Sequence, residues 1–175
     1  TIVAVGIACL LNAGTSRAQM SQYKFEQQFD IAFQYVLEGQ HKNALPIFER
    51  LNKSDGDHAQ VQYLYAVCEM KVNHANGNTT NLLENAVKVS SVYHQIGRVQ
   101  DRTAPVKAWM YLAKSYAEMY DYDKAINAYK NYMSCIPMAS LEHKRGVIAS
   151  IKKLRRQKLA DNSTGVTGLL AEIRR

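Results

Sequence analysis

Histidine and cysteine are the side chains here best suited to metal binding or nucleophilic chemistry, and the chain has five of the first and three of the second. Their spacing argues against both uses. His41, His58, His74, His94 and His143 are scattered, and no two stand three or four apart, the separation that puts two imidazoles on one helix face. Each is expected at the surface or at a helix cap. There is no His-Glu-x-x-His run, no Gly-x-Ser-x-Gly elbow and no glycine-rich phosphate loop, and Ile96-Gly97-Arg98 reads as a plain loop. Cys9, Cys68 and Cys135 are too few for a disulfide framework and lack metal-ligand spacing. Cys68 and Cys135 read as buried, inert thiols, joined as a disulfide only if the fold brings them together. The carboxylates are spread along helix faces, where they meet water or pair with lysines. The pattern predicts no enzyme, no cofactor and no metal.

Charge is the sharper feature. The formal net charge is +7, and residues 138–175 carry nine Lys/Arg against three Asp/Glu. Within that stretch, Lys144, Arg145, Lys152, Lys153, Arg155, Arg156 and Lys158 fall on one helical segment, SLEHKRGVIASIKKLRRQKLA, with Val147, Ile148, Ile151 and Leu154 as its apolar stripe. Such a helix buries one side and shows cations on the other. It reads as a solvated capping helix or as a contact for an acidic partner, anionic lipid or cell wall. Nucleic acid is not expected, because the N-terminus points to export. TIVAVGIACLLNAGTSRAQ is an apolar run closing on Ser16-Arg17-Ala18, a small-x-small pattern. Residues 1–18 therefore read as a signal peptide, incomplete at its N-terminus because no Met or basic stretch precedes the run. Cleavage is expected after Ala18, and Gly6 disfavours a lipoprotein site at Cys9. The expected location is the periplasm, free or associated with the outer membrane.

The elements that would position these groups are helices. FEQQFDIAFQYVLEG spaces Phe25, Phe29, Ala32, Phe33, Val36 and Leu37 as a helix ending at Gly39. HKNALPIFERLNK follows, with Ala44, Leu45, Phe48 and Leu51 on one side and Pro46 near its start. A turn at 54–57 leads to a third helix, HAQVQYLYAVCEMKVN, and a loop at 74–78 to a fourth, TTNLLENAVKVSSVY, with a Thr cap. Residues 94–104 are polar and irregular. A fifth helix starts near Pro105, a sixth stops before Pro137, and the basic helix is the seventh. DNSTGVTGLLAEIRR opens with turn formers, so 161–175 reads as a tail or the start of a linker. No segment shows strand alternation. The chain is read as all-α, with its folded domain at 23–160.

The helices pair, and the pairs resemble one another. Residues 106–139 resemble a tetratricopeptide repeat through Trp109, Leu112, Ala113, Tyr116, Tyr122, Ala125, Tyr129 and Pro137. A weaker copy lies at 25–58, with Ile31, Ala32, Tyr35, Gly39, Ala44 and Phe48, but Gln28 replaces the Trp and Gly56 the Pro. A third lies at 59–88, with Ala66, Leu83 and Ala86. Tyr132 departs from the pattern, standing where a small residue is usual. The resemblance implies a right-handed helical-repeat solenoid of about three helix pairs with a C-terminal capping helix. Alanines would let helices approach, with rings filling the space around them. More narrowly, ALPIFERL, QYLYAVCE, LLENAVK and TAPVKAWMYLAKSY resemble the N-terminal repeats of Bacteroidota envelope proteins. In that family the repeats precede a propeller and an outer-membrane-protein-A-like domain, with links to gliding and type IX secretion. This likeness implies a non-enzymatic scaffold for another envelope protein or peptide, or a module of a larger envelope protein. The repeat likeness also implies a concave groove on the first helices of the pairs, at Phe29, Phe33, Tyr63, Met70, Lys107, Met110 and Lys114. Alternatively these rings pack against the chain's own N-terminal segment or a neighbouring domain. The lysine clamp of chaperone-tail binders is not reproduced, since Tyr111 stands at one of its positions.

Overall fold

The computed structural model describes residues 20–136 and 141–173. Residues 1–18 and Pro137 lie outside the described residues. Seven helices follow in order: α1 (Gln22–Leu37), α2 (His41–Ser54), α3 (Ala59–Asn73), α4 (Gly77–Lys88), α5 (Lys107–Glu118), α6 (Tyr122–Cys135) and α7 (Leu141–Ile173). Each packs on the one before and the one after, and α3 also touches α5. This quasi-linear stacking is that of a helical-repeat solenoid.

Alanines set the spacing. Ala32, Ala44, Ala66, Ala86, Ala113 and Ala125 are all fully buried. A methyl group at each crossing lets two helix backbones come close, and Phe29, Phe48, Leu112 and Tyr129 fill the surrounding space. The first and third pairs turn in the same way. Gly39 takes φ +74 between α1 and α2, and Tyr120 takes φ 61 between α5 and α6. At both turns the left-handed residue's N–H bonds three residues back and the next N–H five back, to Val36 and Tyr35 or to Ala117 and Tyr116. Asp121 then caps α6, accepting from the Lys124 N–H.

Several expectations are corrected. Asn76, not a threonine, caps α4: its side chain accepts from the Thr79 N–H, and the helix begins earlier than its apolar stripe indicates. Pro105 lies ahead of α5 in a two-residue strand, β2 (Ala104–Pro105), paired in parallel with β1 (Ser90–Ser91). Two residues are too few for alternation to register in the sequence. The backbone of α7 runs helically through the turn formers at 162–165 to Ile173, past the expected end at 160. Leu37 and Ile148, expected on apolar helix faces, are 64% and 41% exposed, and Ile31, a repeat-pattern position, is 46% exposed. Among the described residues no helix is long and apolar enough to cross a membrane.

Candidate binding groove

The first helices of the pairs, α1, α3 and α5, form the inner face together with α7. One half of that face is filled by the chain itself. Residues 94–104, between α4 and α5, lie against α1 and the start of α3. Gln60, fully buried on α3, holds them: its Nε2 donates to the carbonyls of Arg98 (3.0 Å) and Asp101 (2.8 Å), and its Oε1 accepts from the Gly97 N–H (2.6 Å). His58, 1% exposed, donates from Nε2 to the Val99 carbonyl at 2.8 Å. The Ala59 N–H reaches the Arg102 carbonyl, and the Arg102 guanidinium makes a two-pronged ion pair with Asp55. Gly97 sits directly on Phe33: a Cβ at that position would lie 2.3 Å from the Phe33 ring. Its φ of +83 lets the backbone turn at this close approach.

The loop also braces itself. The Asp101 carboxylate accepts from the N–H groups of Gln95 and Thr103 and from the Thr103 hydroxyl, and lies 3.4 Å from His94 Nδ1. Burial raises this carboxyl's pKa, but those donors outweigh burial and bring it down to about 2. Burial also lowers the pKa of His58 and His94, though Val99 opposes it for the first and Asp101 for the second. Neither Nδ1 of His58 nor Nε2 of His94 has a partner among the described residues. Both rings thus serve as buried structural donors: His58 keeps an expected cap position, as the N-cap residue of α3, whereas the buried His94 ring, inside the loop, corrects the expectation of a surface or cap place. Of the others, His74 is the exposed C-cap of α3, and His41 lies 3.8 Å from the Cys68 sulfur.

The groove residues named from the sequence therefore divide. Phe29 is fully buried, with its ring against Phe33, Phe48 and His58, so it is core and no contact for a partner. Phe33 is covered by Gly97. Tyr63 is 5% exposed, its ring edge-on to Tyr111 at 5.7 Å. Met70 and Met110 remain half-buried, and Lys107 and Lys114 exposed. The Lys114 ammonium lies 5.1 Å over the Tyr111 ring. Burial, followed by the charges of Lys71 and Lys107, lowers the pKa of Lys114, so three cations gather at this end of the groove. Between α5 and α7 the face opens into a cleft of about 440 Å³, lined by Met110, Lys114, Tyr129, Glu142, His143 and Val147 among others. Its walls are apolar and its rim is charged.

Packing residues behave as their types require. Trp109 is half-buried and donates from its indole N–H to Ser90 Oγ at 3.2 Å, tying α5 to β1. Tyr116, also half-buried, donates its hydroxyl to Glu84. Tyr132, the departure from the repeat pattern, is 4% exposed, with its ring 6.4 Å from that of His143. On α7, Val147, Ile151 and Leu154 are buried, Lys144 is half-buried, and Arg145, Lys152, Arg155 and Arg156 point to solvent. Cys68 is buried, and burial pushes its thiol up to about 12, whereas Cys135 is half-exposed; both are free thiols. No group of three or more His, Cys, Asp or Glu able to hold a metal occurs among the described residues.

The chain is similar to the crystal structure of MamA protein, with a TM-score of 0.53 at 17% identity, over 82% of this chain and 75% of that one. MamA is a tetratricopeptide-repeat protein. This chain has a tetratricopeptide-like fold. The likeness bears on the fold alone, because identity is so low. No family model and no curated protein matches the sequence.

The half-filled groove was hidden from sequence reasoning. Its signal lay in α3, where Gln60 and Gln62 interrupt an apolar helix that shows no single buried face.

Proposed function

We propose that this protein is a non-enzymatic scaffold that holds a peptide or helix of a partner protein in the open half of its inner groove, between α5 and α7. The observation that carries this reading is the cleft beside Met110, Tyr129 and Val147, with Lys114 at its rim. A preformed apolar cleft on stacked helices binds with little ordering cost to the scaffold. The filled half, over Phe33 and Gln60, takes no partner. The apolar run closing on Ser16-Arg17-Ala18 supports export, so the partner belongs to the cell envelope.

The test is peptide selection on immobilised protein, counter-screened against Met110→Glu, with circular dichroism to check folding. Peptides that bind the wild type and lose at least tenfold in affinity on the folded variant support the reading. A library that yields no binder, or binders indifferent to Met110→Glu, refutes it.

A further inference from the structure

The first and last described helices differ in charge and carry exposed rows of matching spacing. Among the helices each of these packs chiefly on one neighbour, α1 on α2 and α7 on α6; the loop at 94–104 also borders α1 at Glu26, Asp30 and Phe33, and the face beyond these contacts is uncovered among the described residues. On α1 that face carries the row Tyr23, Gln27, Asp30, Gln34 and Leu37, at alternating spacings of four and three. Tyr23 is 77% exposed and Leu37 64%, and Ile31 and Glu38 stand beside the row. On α7 the row is Arg145, Ile148, Lys152, Arg155 and Leu159, at spacings of three and four. Ile148 is 41% exposed and Leu159 69%. Three-four spacing is that of a helix-packing seam, and both rows are about 21 Å long at the helical rise.

Charge decides what can cover these seams. Around the α1 row stand Glu26, Asp30 and Glu38 against two cations, Lys24 and the loop's Arg98, which lines one cleft with Glu26 and Asp30; none of the three acids forms an ion pair among the described residues. Around the α7 row stand Lys153 and Arg156 besides its own three cations, with Glu142 the opposing acid. Two α7 faces repel each other. An α7 face and an α1 face attract, and each offers exposed apolar side chains to bury.

We propose that copies of this chain associate end to end, the outer face of α7 in one copy seating on the outer face of α1 in the next. The contact is heterologous. Each copy keeps one free end of each kind, so the association grows as a ring or an open filament. A single helix-on-helix seam falls below the roughly 1,200 Å² of a stable interface. The association is therefore reversible, dependent on concentration and weakened by salt. It is independent of the inner groove.

The test is sedimentation velocity of the full chain over a range of concentrations, at low salt and at about 1 M, where the screening length is about 3 Å. Wild type is expected to sediment faster with rising concentration at low salt and as a monomer at high salt. Lys152→Glu/Arg155→Glu and Asp30→Lys/Glu38→Lys, each checked for folding by circular dichroism, are expected to weaken association at least tenfold. A one-to-one mixture of the two restores it, because each reversed face then meets its complement. A wild type that is monomeric throughout overturns the proposal. So does undiminished association in either variant, or a mixture that stays monomeric.

Discussion

Gly97→Ala tests whether the loop at 94–104 is seated on α1. The added methyl meets two costs. Gly97 has φ +83, in the left-handed region where a Cβ costs about 1–2 kcal/mol. The methyl would also lie 2.3 Å from Cε1 and 2.7 Å from Cζ of Phe33, so the ring or the loop must move. Overpacking of this kind costs about 1–3 kcal/mol. The sum is about 2–5 kcal/mol, a large share of a typical domain's stability. Phe33→Ala separates the two costs, because it removes the ring and leaves the backbone strain. In that background Gly97→Ala should cost only the conformational 1–2 kcal/mol. Urea unfolding of the wild type, both single variants and the double variant closes the cycle, with an expected coupling of about 1–3 kcal/mol. Additive single effects would mean that Gly97 and Phe33 do not touch, and the account of the filled half-groove would fall with them.

Three further outcomes are expected. Tyr120→Gly should raise stability by up to about 1.5 kcal/mol in thermal unfolding, since relief of a left-handed tyrosine, worth about 1–2, outweighs the chain entropy that glycine adds, about 0.5–1. Because folding depresses the pKa of His58 and His94, the unfolded chain takes up more protons as pH falls below about 6.5; stability is full above that pH and declines beneath it. Asp101, held at about 2, gives a second decline below the usual carboxylate range. The urea midpoint should follow both limbs, with His58→Gln flattening the upper one; a wild-type midpoint constant from pH 7 to pH 5 contradicts the burial of neutral imidazoles. Cys68, fully buried with its thiol near 12, should resist an aromatic disulfide reagent in native buffer and react in urea, as read by mass mapping of the labelled peptide.

The fold was legible because its information is local. Ala113, Ala125 and Tyr129 recur at spacings only a paired helix satisfies, and the weaker first copy keeps Ala32, Ala44 and Phe48 in the matching places. The groove was less legible because burial there depends on distant segments. Phe29 and Phe33 lie on the inner side of α1 by periodicity, but periodicity cannot say that Gly97, some sixty positions later, comes back to cover Phe33. Gln60 and His58 carried the message in a form that pattern reading discounts: a polar side chain in an apolar helix and another at its N-cap, both buried because each meets a backbone group of the loop.

That covering changes how the repeat array can work. A loop fixed by three hydrogen bonds to one buried glutamine, by His58 and by an Arg102–Asp55 ion pair belongs to the folded core. For a ligand to displace it, the buried amide of Gln60 and the backbone groups of Gly97, Arg98 and Asp101 would all have to find new partners. Each unmet buried group costs about 1–3 kcal/mol. Even a modest tally exceeds what a short peptide gains from a shallow surface, which is why the proposed binding is placed in the cleft that is already open, beside Met110 and Val147. End-to-end association leaves that cleft free, because its seams lie on the outer faces of α1 and α7. A row of associated copies would then present the same cleft repeatedly, and a partner with several copies of its binding segment would gain avidity with no new contact.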